Sequence, residues 1–285
     1  MTQGKDGSLQ GRVALVSGAN TGIGLVTARE LAARGAHVFV ACRSAERAQA
    51  ALAAIAARGS GPKPELLALD LADFASVRQC AQAFLARGLP LHVLVNNAGL
   101  AGARGLTRSG FELAFGVNHM GPFLLTALLL ERIRESAPAR IVTVASKAHH
   151  RATGIDWAAV RRATATRSGF PEYSVSKLAN VLFSAELGRH LAGSGVTTYA
   201  LHPGVVASDI WRQVPWPLRA LLKLGMISTE EGARTSLYCA TSPEVAVSSG
   251  LYYDSCRPKE PSRAARDGAL AAELWQRSEA WLREG

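Results

Sequence analysis

The sequence predicts an α/β fold in which a doubly wound, mainly parallel sheet is covered by helices on both faces. Short apolar runs rich in β-branched residues alternate with alanine-rich amphipathic stretches, which is typical of repeated strand-helix units. The runs are also apolar almost continuously, as in strands that turn neither face to water. No internal repeat, low-complexity block or long linker interrupts the alternation, so residues 1–285 are expected to form a single domain.

The alternation predicts seven strands and seven helices. The strands are short runs at 13–17, 37–41, 65–69, 92–96, 140–145, 196–201 and 250–253. The helices are longer stretches near 22–34, 45–58, 73–87, 109–135, 171–194, 229–241 and 266–283. This arrangement is a Rossmann-type three-layer sandwich with a mainly parallel seven-stranded sheet. Such sheets bind ligands at the carboxyl ends of their strands, so functional residues are expected directly after each strand.

Composition argues against several classes of protein. The net charge is +10, but the arginines are dispersed along the chain, which favours a solvated basic surface over nucleic-acid binding. The 4 cysteines are scattered and form no CxxC pair, which predicts reduced thiols in a reducing compartment. Residues 1–12 lack the apolar core of a signal peptide, and the apolar run at 123–131 is too short to span a bilayer. A soluble, cytoplasmic protein is therefore expected.

A glycine-rich turn follows the first strand in the segment SGANTGIG at 17–24. Gly18, Gly22 and Gly24 permit unusual backbone angles and let the main chain approach a pyrophosphate, whose charge the amides at a helix N-terminus favour. The spacing G-x-x-x-G-x-G differs from the dinucleotide fingerprint G-x-G-x-x-G, so an ordinary strand-to-helix turn is the alternative. The motifs that follow strengthen the interpretation as a cofactor site.

The residues after the second and third strands indicate which cofactor is bound. An acidic residue after the second strand binds the ribose of NAD, whereas a basic residue accommodates the 2′-phosphate of NADP. Here the strand ends in VACRSAER, and Arg43 favours NADP(H) over NAD(H) unless it is only a surface arginine of the next helix. After the third strand, Asp70 is a candidate to hold the adenine edge, or to cap the next helix.

Four further motifs follow in order: NNAG at 96–99, the serine of VASKAHH after the fifth strand, YSVSK at 173–177 and HPG at 202–204. With the glycine turn, they make nearly the whole chain resemble the short-chain dehydrogenase/reductase family. The segments GVNHMGPFLLT, SKLANVLFSAEL, GVTTYALHPGVV and EGARTSLYCA resemble its retinol dehydrogenase-like branch, which acts on retinoids and other lipophilic carbonyl compounds. Ser17 stands where threonine is common and keeps the hydroxyl. The membrane anchor of many animal members has no counterpart, which favours a soluble protein.

The matched residues suit the reduction of a carbonyl. Hydride transfer needs a proton donor, and a phenol of pKa about 10 needs a nearby cation to act at neutral pH. Lys177 lies one helical turn beyond Tyr173, on the same face, and can supply that cation. The resemblance implies that Lys177 also binds the nicotinamide ribose, that Ser146 holds the substrate oxygen, and that Asn118 maintains a water-linked proton relay. Taken singly, Ser146 as a cap and Asn118 as a main-chain-bonded residue remain alternatives.

The resemblance also implies which residues contact the cofactor. These are Ser17, Gly18, Asn20, Thr21, Gly22, Ile23, Gly24, Arg43, Asp70, Leu71, Asn97, Ala98, Gly99, Tyr173, Lys177, Pro203, Gly204 and Val206. No metal is expected, because His149 and His150 are adjacent and lack a partner at ligand spacing. His202 is expected to pack against a loop. The rival from another class is a non-catalytic NADP(H)-sensing scaffold, for which the Tyr, Lys, Ser and Asn set would be superfluous.

The substrate is expected to be a lipophilic aldehyde, ketone or alcohol, because the segment at about 205–228 is rich in large apolar residues. There Trp211 and Trp216, together with Ser146, are predicted to line the substrate pocket, with the segment as a lid. Packing onto the domain and peripheral contact with a membrane remain alternatives. Trp157 either anchors its loop or borders the entrance. The resemblance implies self-association through the helices near 109–135 and 171–194.

Overall fold

A computed structural model describes residues 9–205 and 227–284. Its centre is an eight-stranded sheet of order β3-β2-β1-β4-β5-β6-β7-β8, in which only the last pair is antiparallel. The strands are β1 Val13–Ser17, β2 His37–Cys42, β3 Glu65–Ala68, β4 Val93–Asn96, β5 Ala139–Val144, β6 Val196–His202, β7 Leu251–Asp254 and β8 Arg257–Pro258. The helices are α1 Gly22–Ala33, α2 Ala45–Ala56, α3 Phe74–Leu85, α4 Leu113–Glu135, α5 Phe170–His190, α6 Thr229–Thr241 and α7 Gly268–Glu284.

The seven predicted parallel strands are all present, and the mainly parallel α/β sheet is confirmed. The structure adds β8, a two-residue strand that follows a turn in which Ser255 and Cys256 have positive φ. The chain order reverses between β1 and β4, which are neighbours in the sheet. This reversal is the switch point at which an open α/β sheet forms its ligand crevice.

Successive side chains of the strands point into two separate hydrophobic cores. In β1, Leu15 packs into the core under α3, α4, α5 and α7, whereas Val16 packs into the core under α1, α2 and α6. Both side chains are fully buried. The strands therefore have no water-facing side, as their near-continuous apolar sequences predict.

Helix α4 begins four residues after the predicted start at 109 and contains a π-type turn at Gly116–Met120. Among the described residues, it is the one helix long and apolar enough to cross a membrane. The apolar run at 123–131 is therefore only part of a helix that by length and composition could cross a membrane. However, 72% of its most apolar window is buried within the fold. Packing in the core accounts for its apolar character.

Helix α7 covers part of α4 and α5. Trp275 stacks on His190 at 4.4 Å between ring centroids and packs edge-on against Phe123 at 5.0 Å. On the same helix, Leu274 is 1% exposed, and the hydroxyl of Ser278 lies 3.1 Å from Nε2 of His119. Part of each of the two helices that are expected to self-associate is therefore in contact with α7 of the same chain.

Shortening the apolar side chain that α7 buries should weaken the fold. We expect Leu274→Ala to lower the free energy of unfolding by about 2–5 kcal/mol, because it removes buried methyl groups and leaves a cavity. The exposed residue Gln276 on the same helix provides the control, and Gln276→Ala should change it by no more than about 0.5 kcal/mol. Urea denaturation of both variants measures the difference, and equal midpoints would show that α7 contributes little.

Candidate active site

The turn between β1 and α1 has a conformation that requires glycine. Gly18 and Gly22 have positive φ values of 67° and 58°, which other residues rarely adopt. At Gly24 an added Cβ would lie 2.4 Å from Nδ2 of Asn97 and 2.5 Å from the carbonyl oxygen of Gly18. The turn therefore packs directly against the end of β4, and its main chain lines a cleft.

The start of α1 presents main-chain amides to this cleft. Thr21 is the N-cap residue, but its side chain makes no capping hydrogen bond, and the first turn of the helix has no acidic residue. Uncapped amides at a helix N-terminus favour an anion. Asn20, Thr21 and Ile23 line the cleft beside the glycines. The site therefore fits the pyrophosphate of a dinucleotide.

Ser17 and Asn97 join the ends of β1 and β4. The hydroxyl of Ser17 accepts hydrogen bonds from the amides of Asn97 and Ala98, both at 3.1 Å, and donates to the carbonyl of Val95 at 3.3 Å. Nδ2 of Asn97 donates to the carbonyl of Ser17 at 2.8 Å. Ser17 is fully buried and does not line the cleft. Its hydroxyl joins the turn after β1 to the turn after β4 on the side away from the cleft. This position differs from the predicted direct contact with the cofactor.

One end of the cleft lies at the carboxyl ends of β2 and β3. Arg43 and Arg47 are exposed there, and neither is ion-paired with a carboxylate in the part of the chain that the structure describes. Asp70 also lines this end, and its Oδ1 accepts from the amide of Ala72 at 3.0 Å. The N-cap of the next helix is Asp73, so Asp70 does not have the capping role that was its alternative.

The other end of the cleft contains Tyr173, near the start of α5. Tyr173 is 7% exposed, and the side chain of Ser146 lies beside its hydroxyl. Burial raises the pKa of the Tyr173 phenol, and Ser146 opposes this rise only in part. Ser146 follows β5 and also accepts from the amide of Ala148 at 3.2 Å. Ser146 therefore caps the following 3-10 turn, Lys147–Arg151, and contacts Tyr173 as well.

Lys177 lies behind Tyr173, one turn further along α5. Its Nζ donates to the carbonyl of Val144 at 2.8 Å and lies 5.7 Å from the centroid of the Tyr173 ring. Burial lowers the pKa of the Lys177 amine to about 7. Both Lys177 and Tyr173 line the cleft. The predicted pair is therefore adjacent, but burial acts against ionisation of both groups.

Asn118 lies in the π-type turn of α4, outside the lining of the cleft. Its Oδ1 accepts from the amide of Leu100 at 2.9 Å, and its Nδ2 donates to the carbonyl of Leu100 at 3.0 Å and to Oγ of Ser176 at 2.9 Å. Asn118 therefore binds main chain, as its alternative interpretation states, and ties the loop after β4 to α5. Its role in a proton relay stays a prediction.

A single cleft of about 710 Å³ joins these features. Of the predicted cofactor and catalytic residues within the described ranges, all line it except Ser17 and Asn118. Val206, Trp211 and Trp216 lie outside the described residues, as does most of the segment 205–228. Leu71, Gly99, Pro203 and Gly204 line the cleft as predicted.

Several lining residues were not predicted from the sequence. They include Arg47, His202 and, near Tyr173, Leu100, Ala101, Leu113, Val117 and Phe170. Of these, Arg47 could have been predicted, because it lies with Arg43 in the short basic segment RSAER at 43–47. Trp157 is absent from the lining, and its ring lies 4.8 Å from the guanidinium of Arg277 and 6.3 Å from the ring of Trp281. Trp157 therefore anchors its loop on α7.

Comparison with known proteins shows which family the chain resembles in sequence. Residues 12–216 match the family model described as short chain dehydrogenase. The chain is 45% identical to human dehydrogenase/reductase SDR family member 13, over 95% of this chain and 73% of that protein. It is 44% identical to human retinol dehydrogenase 12, over 94% of this chain and 85% of that protein.

Solved structures agree with these sequence relatives. A crystal structure of a protein from Mycobacterium Paratuberculosis is 35% identical, with a TM-score of 0.76 and coverage of 96% of this chain and 94% of that chain. The Pseudomonas aeruginosa RhlG/NADP active-site complex is 26% identical, with a TM-score of 0.69 over 94% of this chain and 100% of that chain. The chain therefore belongs to the short-chain dehydrogenase/reductase family, as an oxidoreductase of CH–OH groups that uses NAD(P)(H) and is related to the retinol dehydrogenases.

Proposed function

We propose that the protein is an NADP(H)-dependent oxidoreductase that interconverts a lipophilic aldehyde or ketone and its alcohol. The observation that carries this proposal is the position of the Tyr173 hydroxyl. It lies beside the Ser146 side chain at one end of a cleft whose other end holds the glycine turn and two arginines. A proton donor and a dinucleotide site thus share one cavity.

In this proposal, Tyr173 gives its proton to the carbonyl oxygen while Ser146 holds that oxygen by a hydrogen bond. Because burial raises the pKa of Tyr173, the phenol keeps its proton at neutral pH, and a cation at Lys177 is needed to favour transfer of that proton. NADPH, when bound, supplies the hydride. Lys177 is placed beside Tyr173 by its bond to the Val144 carbonyl, and because it lines the cleft it would bind the ribose of a bound cofactor.

The preference for NADP(H) is supported by charge. Arg43 and Arg47 both line the cleft beyond β2, and residues 42–44 include no carboxylate that would take the ribose hydroxyls instead. Guanidinium groups bind phosphate with two parallel hydrogen bonds. The RhlG structure, a relative in fold and sequence, is a complex with NADP.

A lipophilic substrate is supported by the side of the cleft that adjoins Tyr173. The Tyr173 ring packs in a small apolar cluster with Leu100, Ala101, Ala114 and Phe170. Retinal is the first candidate, because retinol dehydrogenase 12 is among the relatives. A steroid ketone or a medium-chain aldehyde is the alternative.

The rival proposal is a scaffold that binds NADP(H) without catalysis. It leaves unexplained why a phenol, an amine and a hydroxyl are grouped at Tyr173, Lys177 and Ser146.

We also propose that the protein works in the cytoplasm without a nucleic-acid partner. All four cysteines are free thiols, as a reducing compartment would leave them.

Removing one hydroxyl should separate catalysis from cofactor binding. We expect Tyr173→Phe to lower kcat about 100-fold or more, because a general acid contributes about 10²–10⁴ to a rate. The dissociation constant for NADPH should change by no more than about threefold, since Tyr173 keeps its ring. NADPH oxidation with retinal, medium-chain aldehydes and steroid ketones measures turnover, and fluorescence titration measures binding.

The matched control is Tyr238→Phe, which removes a hydroxyl on α6 that donates to the carboxylate of Glu244, away from the cleft. It should leave kcat unchanged. Full turnover by Tyr173→Phe would refute the catalytic role, and a wild-type protein that binds NADPH but reduces none of the panel would favour the scaffold.

Reversing charge beyond β2 should change the cofactor preference. We expect Arg43→Asp and Arg47→Asp each to lower the ratio of kcat/KM for NADPH over NADH by about 10- to 100-fold, because a hydrogen bond to a charged group contributes about 1.5–3 kcal/mol. The control for charge alone is Arg58→Asp, because Arg58 is an exposed residue just after α2 and lies outside the cleft. An unaltered ratio in both variants would contradict a phosphate site here.

The buried amine of Lys177 should make the ligand-free protein less stable at neutral pH. Burial places its folded pKa near 7, below the usual 10.5, so the unfolded chain binds one more proton between these pH values. The resulting loss of stability is complete below about pH 7 and disappears above about pH 10.5. At about 1.4 kcal/mol for each pKa unit, it amounts to a few kcal/mol.

We therefore expect Lys177→Met to abolish turnover and to raise the free energy of unfolding at pH 7, with a gain that shrinks towards pH 10. The carbonyl of Val144 keeps a donor in this variant, because Nδ2 of Asn180 also lies 3.3 Å from it. Lys63→Met, a change of an exposed lysine, is the control and should show no such trend. A variant less stable than wild type at pH 7 would show that the amine stabilises the fold.

A further inference from the structure

The peptide group between Ser146 and Lys147 is bonded at both ends by imidazole rings. Nδ1 of His149 lies 2.7 Å from the Ser146 carbonyl oxygen, and the amide of Lys147 donates to Nδ1 of His202 at 3.3 Å. The two histidines come from different elements, the 3-10 turn Lys147–Arg151 and the end of β6. They converge on the peptide that directly follows the Cα of Ser146.

The partners of His149 determine its tautomer. A carbonyl oxygen only accepts, so Nδ1 must carry the hydrogen that bonds the Ser146 carbonyl. The amide of Ser262 only donates, so Nε2, at 3.1 Å, must be the unprotonated nitrogen. His149 is fully buried, and burial lowers its pKa to about 4. The ring is therefore a neutral link between Ser146 and the chain that follows β8.

His202 has the complementary tautomer. Its Nδ1 accepts the Lys147 amide, so the hydrogen of the neutral ring is on Nε2. Its side chain is 5% exposed, and burial lowers its pKa to about 4. The side chain of Lys147 is held separately, by an ion pair between Nζ and Asp254 at 2.8 Å. The peptide thus gives a hydrogen bond to one ring and receives one from the other.

We propose that His149 and His202 are positioning residues that clamp the Ser146–Lys147 peptide and so hold the Ser146 hydroxyl against Tyr173. This inference rests on the proposed function, in which Ser146 binds the substrate oxygen. Neither ring is hydrogen-bonded to Tyr173 within the described ranges, and His149 does not line the cleft, whereas His202 does. Both rings act through Ser146. Without them the 3-10 turn keeps one bond to the same carbonyl, from the His149 amide at 3.1 Å.

The clamp requires both rings to be neutral. A second proton on His149 would face the Ser262 amide, and a second proton on His202 would face the Lys147 amide. In each case two hydrogen-bond donors would meet, and the present hydrogen bond would be lost. The ionisable groups around His149 are His150, Tyr252 and His202. Those around His202 are Asp254, Lys147, His149 and Lys177. Of these only Asp254 favours a protonated ring, and burial outweighs it.

The first test reads the tautomers in the wild-type protein and needs no turnover. Imidazole 15N chemical shifts at pH 7, assigned with His149→Asn and His202→Asn, should show Nδ1–H for His149 and Nε2–H for His202. A cationic ring, or the opposite tautomer at either position, would overturn the clamp. This result stands even if the wild type reduces no carbonyl, in which case the proposed function alone fails.

The second test separates positioning from packing by comparing two substitutions at each histidine. Asparagine offers a donor or an acceptor near the place of Nδ1, whereas leucine fills a similar volume but cannot bond the peptide. A clamp predicts that His149→Leu and His202→Leu lower kcat about 10- to 100-fold while His149→Asn and His202→Asn keep most of it, because a small displacement of a catalytic group is costly. Packing alone predicts the reverse order, since asparagine leaves a polar cavity.

The third test asks whether each histidine acts through Ser146. In a Ser146→Ala background, His149→Leu should cost little further kcat, because the hydroxyl that the clamp positions is gone. An unchanged cost in that background would overturn the proposal. His150→Leu is the matched control, because His150 is exposed and has no hydrogen bond within the described ranges. It should keep wild-type kcat.

Discussion

The close approach of the ends of β1 and β4 is the constraint on which the rest of the site depends. Ser17 bonds two amides of the β4 turn, and Asn97 bonds a carbonyl of the β1 end, so each strand end completes the hydrogen bonds of the other. Gly24 has no side chain and lets α1 start against this junction. The strand order of the sheet reverses between β1 and β4, and a ligand crevice forms at such a reversal. The contacts that join these two strand ends therefore also shape the cleft. Folding and cofactor binding therefore require the same junction.

The reacting end of the cleft is built from polar groups that burial makes costly. Lys177 and Tyr173 both lose water, and for both the charged form becomes less favourable. Main-chain groups compensate in part, since the Val144 carbonyl accepts from Lys177 at 2.8 Å. His149 and His202 follow the same rule as neutral rings with main-chain partners. Stability would favour apolar residues at these positions, so their polarity is better explained by the reaction.

The strands, the helices and the glycine turn could be predicted because apolar periodicity and turn chemistry are local properties of the sequence. Contacts between distant parts of the chain could not. The bonds of Asn118 to Leu100 span 18 residues, and the bond of His149 to Ser262 spans 113. No pattern in a short window contains such a pair. The strand Arg257–Pro258 has only two residues, too few for a periodic signal. The order of motifs predicted the grouping of Tyr173, Lys177 and Ser146. It did not predict the burial that raises the pKa of Tyr173 and lowers the pKa of Lys177.

Helix α7 limits where copies of this chain can associate. The resemblance places self-association on α4 and α5, yet there Trp275 stacks on His190 and Leu274 is buried by the same chain. A second copy that packed on the part of α4 and α5 under α7 would have to displace these contacts, at a cost of about 2–5 kcal/mol for each large apolar side chain returned to water or to a cavity. A stable interface there must first recover that cost and then bury about 1,000 Å² or more. Self-association through α4 and α5 stays a prediction, and the part of their surface that α7 covers is the less favourable place for it.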